Sequence, residues 1–387
     1  MTSNHEDNVR ASLSLCLRIV KYYEWLLDLY VLDFFVDSHW TKLPTLWQDC
    51  FGKMDPQDLG NIIAGKQTNH MLPLSFLSLL KAISTLSIPR QSTYTEDKEV
   101  ENASKYATIN HPKLKNLFLK HVKLKKRHEI SLMSDFVCEI AKQCKCNRVL
   151  DFGSGIGHLV RILSYKYNIV TVGIEMQTLL SEEARYVEES MSKMPRPIHC
   201  NIALSSLDQL NGLKLAENMD HFGLIGLHPC GDLGPLLIQH FVTSDKVKFI
   251  CVVGCCYMKL SNSGYPMSVY AKKQDSSLSY VHAYRAALEK LLVQLDPHLR
   301  HLPVRSVKHT PNMTFESYCT AALEKLSYEY QNLYYKSVDE DLNQWKKVVV
   351  MYTLRLMLAP LVETIILLDR ILYILENGMY LTKISKL

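Results

Sequence analysis

No two cysteines in this 387-residue chain are separated by two residues, and the eleven present fall at irregular intervals. That excludes a stapled secreted domain and removes the usual spacing of a zinc ribbon or finger. No basic stretch followed by an apolar run and a small-residue cleavage site opens the chain, so the expected setting is reducing and intracellular, cytoplasmic or nuclear. Net charge is scarce too: +5 over the whole chain neither demands nor excludes a nucleic-acid partner. What the chain does have is apolar content, 47% hydrophobic, and a length that allows two domains or one elaborated domain.

The charge is unevenly spread. Residues 113–128 (KLKNLFLKHVKLKKRH) hold seven Lys or Arg and no acid. Leu114, Leu117, Phe118 and Leu124 interleave with them, which predicts an amphipathic helix whose basic face is either simply solvated or a contact for RNA or phosphate. Ahead of it, 87–110 is polar and weakly periodic, as a linker is. The first ninety residues read as helices, with Tyr22, Tyr23, Trp25, Phe34 and Phe35 as core or seam residues without chemistry. Near the end, Leu354, Leu358, Leu361, Ile365, Leu368, Leu372 and Leu375 form one apolar seam. The window Val348–Leu368 is long enough for a bilayer, but Arg355, Glu363 and Pro360 within it favour a helix that is buried or packed on a protein partner over one associated with a membrane. The expected organisation is a helical region at 1–90, a linker or mobile loop at 91–112, a core at 113–260 and a mainly helical region at 261–387.

Between Asn147 and Gly254 strand and helix signals alternate, with strands expected near 148–152, 168–174, 197–202, 222–228 and 247–254. This pattern predicts an open parallel α/β sheet with ligands at its carboxyl ends. The first strand runs into Asp151-Phe152-Gly153-Ser154-Gly155-Ile156-Gly157. Its glycines alternate instead of following the G-x-G-x-x-G of nicotinamide and flavin loops, and with Asp151 ahead of them they match the D-x-G-x-G-x-G loop for S-adenosylmethionine; a tight turn without a ligand is the bland alternative. Glu175 ends the second strand, where an acid can bond the ribose hydroxyls or face a helix N-terminus.

His228-Pro229-Cys230-Gly231-Asp232 follows the fourth strand and Gly254-Cys255-Cys256-Tyr257-Met258-Lys259 the fifth. His228, Cys230, Asp232, Tyr257 and Lys259 are therefore the candidates for orienting or deprotonating a methyl acceptor, with positioning the dominant effect. Zinc held by His228, Cys230, Cys255 and Cys256 is the competing chemistry. It is set aside because adjacent cysteines point to opposite sides if the strand continues through them, so no metal is expected.

These motifs, together with KKRHE (125–129), GYPMS (264–268) and LAPLVETIILLDR (358–370), resemble the methyltransferase-like protein 25 family. WLLDLYVLDFF (25–35) resembles its ribosomal RNA adenine dimethylase domain-containing branch. The resemblance covers essentially the whole chain. It implies a Rossmann-like class I methyltransferase sheet with N- and C-terminal helical additions and S-adenosylmethionine as cofactor. It also implies that Lys125, Lys126, His128 and Glu129 line the methionine end of that cofactor, alongside Asp151, Phe152, Gly153, Ser154, Gly155, Gly157 and Glu175. Adenine N6 enzymes carry N-x-P-Y or D-P-P-Y after the fourth strand; His228–Gly231 has neither and looks closer to transfer RNA 2′-O-methyltransferases. RNA is thus the favoured acceptor over protein or a small molecule, with a noncatalytic scaffold on the same fold as the alternative. The sheet of such enzymes ends in a hairpin that residues 376–387 do not spell, so the last two strands are expected to be missing, displaced or supplied by 300–320, and the chain to be a truncated form.

Overall fold

The computed structural model describes residues 2–66, 68–89, 122–189, 197–202, 220–268, 283–305, 307, 313–324 and 335–379. The linker expected at 91–112 and the start of the basic stretch, 113–121, lie outside them. In chain order the elements are α1 (Thr2–Tyr22), α2 (Glu24–Leu27), α3 (Thr45–Phe51), α4 (Pro56–Ile63), α5 (Leu74–Leu86), α6 (Leu124–Gln143), β1 (Arg148–Phe152), α7 (His158–Tyr167), β2 (Val170–Glu175), α8 (Thr178–Glu189), β3 (Ile198–Asn201), β4 (Phe222–Leu227), α9 (Leu233–Thr243) and β5 (Val247–Val253). They continue with α10 (Ala283–Leu295), α11 (Phe315–Leu323), α12 (Asp339–Asn343), α13 (Trp345–Met357) and α14 (Ala359–Glu376).

All five strands run parallel in the order β3-β2-β1-β4-β5. The chain enters at the centre, steps outward to β3 and returns to lay β4 on the other side of β1. That reversal opens a crevice at the carboxyl ends of β1 and β4, where doubly wound sheets take ligands. Every residue of β4 is buried, as a strand covered on both faces requires. Side chains of alternate positions build two cores. Val149, Ile225, Leu227, Phe249 and Cys251 meet Met133 and Val137 of α6 and Leu159, Ile162 and Leu163 of α7. Leu150, Phe152, Val172, Ile174, Leu224 and Val247 meet Leu237 of α9 on the opposite face. The Rossmann-like expectation is met strand for strand, and among the described residues no sixth strand occurs; within 300–320 the described element is α11.

The compact units are discontinuous in sequence, unlike the four consecutive segments expected. One comprises residues 1–10, 90–273 and 366–387 and holds the sheet; the other comprises 11–89 and 274–365. In the second unit Phe34 is buried, Tyr23, Trp25 and Phe35 are half-buried and Tyr22 is exposed, while Trp47, Phe51 and Phe76 pack edge to face. Phe35 packs on the cluster formed by Leu288, Leu292, Tyr318 and Leu323, which is why early and late segments share this unit. Its α11 is capped by Thr314, whose hydroxyl accepts from Ser317 N at 3.1 Å. Thr314→Ala is expected to lower stability by about 1 kcal/mol, read by urea unfolding.

The leucine seam is divided. A break at Leu358 separates α13 from α14, and Pro360 sits in the first turn of α14, where its missing N–H costs nothing. Leu354, Leu358, Leu361, Ile365 and Leu372 are buried within the chain, with Arg355 also buried. No helix among the described residues is long and apolar enough to cross a membrane.

Candidate active site

The loop after β1 is held by backbone geometry that side chains resist. Gly153, Gly155 and Gly157 have φ of 74°, 56° and 79°, a region that costs residues with a Cβ of order 1 kcal/mol or more. The glycines differ in what surrounds them. A Cβ on Gly155 would meet nothing within 4 Å, so that face of the loop is open, whereas one on Gly157 would lie 2.4 Å from His199 Cε1. Gly155 therefore leaves room for a ligand and Gly157 allows α7 to start close against β3.

Glu175 at the end of β2 supports this loop directly. Its carboxylate accepts from Gly155 N and from Gln177 N, both at 2.9 Å, so it bridges the glycine turn to the start of α8. Asp151 is buried, and its Oδ1 has no hydrogen-bond partner among the described residues. Burial raises its carboxyl to about 7; the charge of Lys126 pulls the other way and Glu175 adds to the rise. A buried carboxylate left unpaired is costly, and a cation delivered to it relieves that cost. An ammonium-bearing cofactor in the cradle opened by Gly153 and Gly155, with a diol beside Glu175, fits these residues. Phe152 is different: its side chain is in the sheet core, leaving only its backbone to the loop.

The helix before β1 contributes a second cluster. Glu129 on α6 lies 3.9 Å from Lys125 Nζ and 3.8 Å from Lys126 Nζ. His228, after β4, donates from Nε2 to Glu129 at 3.0 Å. Burial pushes the Glu129 carboxyl up, but the His228 hydrogen bond and the nearby positive charges outweigh it and hold the group below its ordinary value. His128 is exposed on the same helix. His228 itself has φ 67°, a left-handed conformation that turns the chain sharply at the strand end.

The turns after β4 and β5 are interlocked. Asp232 accepts from Ser261 N at 2.9 Å and so holds the loop beyond β5. A Cβ on Gly231 would sit 3.1 Å from the Lys259 carbonyl oxygen, while the Lys259 side chain is exposed. Cys230 Sγ is 3.3 Å from Cys255 Sγ. The expectation that Cys255 and Cys256 diverge is overturned: β5 stops at Val253, and Cys256 has φ 48°, so strand alternation does not reach them. Burial first, then hydrogen bonding to Cys230 and Cys256, pushes the Cys255 thiol up to about 12, whereas bonds from Cys230 and Cys255 lower that of Cys256.

Two residues quoted only as part of a motif prove to organise this side. Asp369 on α14 is fully buried and accepts from Met267 N at 2.7 Å, Ser268 N at 2.8 Å and Ser268 Oγ at 2.5 Å. Arg370, beside it, lies 5.5 Å from the centre of the Tyr257 ring. An acid and a base ending a long apolar run were the available signal, since a charge in such a run must find a buried partner.

Residues 125–263 match the family model described as a methyltransferase domain. The chain carries a methyltransferase domain. It is 20% identical over 428 aligned residues to the probable methyltransferase-like protein 25 of Mus musculus, covering 65% of this chain and 70% of that protein. With the Homo sapiens protein of that name it shares 27% identity over 211 residues, 42% of this chain and 34% of the other. Among solved structures, coclaurine N-methyltransferase bound to N-methylheliamine and SAH overlays with a TM-score of 0.27 at 13% identity, covering 82% of this chain and 91% of that one. The overlay is poor. The matched span of the methyltransferase domain begins at Lys125 and ends at Ser263, leaving Met267, Ser268, Asp369 and Arg370 outside it.

Proposed function

We propose that the chain is an S-adenosylmethionine-dependent methyltransferase acting on RNA. The observation that carries the cofactor is Asp151, a buried carboxyl at the carboxyl end of β1 whose Oδ1 has no hydrogen-bond partner among the described residues, beside a glycine cradle open on the ligand side. When bound, the cofactor supplies an electrophilic methyl group. Asp151 would hold its ammonium, Lys126 its carboxylate, and Glu175 its ribose hydroxyls while keeping the loop in register. His228, steadied by Glu129, stands at the β4 turn, where it orients the acceptor and takes the proton the acceptor gives up. Cys230 lies in the same turn, Tyr257 and Lys259 lie in the loop after β5, and Asp232 fixes that loop.

RNA is favoured by the basic residues of 113–128, of which Lys123, Lys125, Lys126 and Arg127 fall at the start of α6. The Trp25–Phe35 segment supports descent within the ribosomal RNA adenine dimethylase domain-containing branch. The His228–Gly231 turn has neither the N-x-P-Y nor the D-P-P-Y pattern that adenine N6 transfer uses, which favours another RNA atom as the acceptor. Calorimetry should detect cofactor binding to the wild type and at least about tenfold weaker binding to Gly155→Arg, which loses both the left-handed turn and the open space. No heat with the wild type would dismiss the cofactor. Binding without transfer of radiolabelled methyl to extracted RNA would dismiss the acceptor.

A further inference from the structure

We propose that Cys230, Cys255 and Cys256 bind a Zn²⁺ ion at the carboxyl ends of β4 and β5, as thiolates, with the fourth coordination position open.

The three sulfurs lie within 4.8 Å of one another, and the pair Cys230 and Cys255 at 3.3 Å. In a tetrahedral zinc thiolate with bonds of about 2.3 Å the sulfurs stand about 3.8 Å apart, so the 3.3 Å pair is about half an ångström short of the required edge. Only the strand order makes this possible: β4 and β5 are neighbours, which brings residues 25 positions apart to adjacent strand ends. The backbone bends to hold them. Cys256 at φ 48° is a left-handed residue with a Cβ, and the opposing turn contains His228 at φ 67° and Gly231 at φ 60°. Such conformations are strained in a side-chain-bearing residue and persist where the surroundings enforce them.

The donor set selects the metal. Three thiolates favour Zn²⁺ over the oxygen-seeking Mg²⁺ and Ca²⁺. Cys230 is exposed and the other two are half-buried, which provides the entry path a metal needs. His228 is not among the residues whose ligand atoms converge with these sulfurs. Among the described residues the group has three members, the count of a site that keeps one position for water or a donor atom of a substrate. Binding requires the loss of the thiol protons to solvent and no change in oxidation state. Metal binding by these thiolates does not depend on methyl transfer.

The test is metal analysis of the full chain, produced with zinc supplementation and purified under reducing conditions without chelator. Plasma mass spectrometry should find about one zinc per chain in the wild type and in Cys144→Ser, and less than about a tenth of that in Cys230→Ser and in Cys255→Ser. Because a variant could lose zinc by failing to fold, Co²⁺ is also titrated into wild-type protein stripped of zinc, where a near-ultraviolet thiolate-to-cobalt charge-transfer band is expected. Wild-type protein without zinc and without that band overturns the proposal. So does a Cys230–Cys255 disulfide found by peptide mapping of the zinc-supplemented protein.

Discussion

Arg161→Met is expected to remove about 3–5 kcal/mol of stability, the cost of leaving a buried charge without its partner. Arg161, on α7, is fully buried. Its Nε donates to Glu188 Oε2 at 2.9 Å, its Nη1 to the Ile156 carbonyl at 2.5 Å and its Nη2 to the Ala184 carbonyl at 2.8 Å. The guanidinium therefore ties the glycine loop to α7 and α8. Glu188 is also bonded by the Tyr165 hydroxyl and by His199 Nε2 at 3.4 Å. Burial raises the Glu188 carboxyl, and these hydrogen bonds together with the Arg161 charge more than reverse the rise. Without Arg161 the carboxyl climbs, so the loss should be smaller at pH 5 than at pH 8, where the group must be charged. Urea unfolding at both pH values measures this. A double variant, Arg161→Met with Glu188→Gln, should recover part of the loss because no buried charge is left; a loss as large as that of the single variant would mean that shape and not charge holds the loop.

Asp151→Asn is expected to gain about 3 kcal/mol relative to the wild type between pH 5 and pH 8, in the absence of cofactor. The Asp151 carboxyl is raised from 3.8 to about 7 in the fold. Below 3.8 it is protonated in both states and burial carries no charge penalty. Between the two values the folded protein holds a proton that the unfolded chain has given up, and stability falls by about 1.4 kcal/mol per pH unit. Above about 7 the full penalty stands. Asparagine has no such titration, so a difference between the two proteins that does not vary with pH would refute the account. Cofactor should reverse the sign of the comparison: a cation against Asp151 favours its ionised form, so at pH 6 binding to the wild type releases a proton, seen as a heat that depends on the buffer. Asp151→Asn should bind the cofactor more weakly and release none.

Both variants concern residues whose types could be read before their environments. Asp151 was legible as the acid ahead of alternating glycines, yet its unpaired burial follows from β2 and β4 flanking β1. Arg161 gave no signal, because its partner is 27 residues away on another helix. The pairing of His228 with Glu129 spans 99 residues, and that of Asp369 with Ser268 spans 101.

What the sequence by itself determined is local: where apolar runs make strands, where glycine must turn left-handed, and which acid ends the second strand. These depend on backbone sterics and on periodicity within a few residues, so a linear reading contains them. Tertiary structure alone decided which motifs meet. Residues 11–89 join 274–365 because their apolar faces complete one core, and α14 places Asp369 under the turn after β5. The two cysteines read as diverging along a strand instead converge on Cys230, since the strand ends at Val253 and β4 lies beside β5. Strand order and strand ends are set by how the helices cover the sheet, and no spacing in the chain records that.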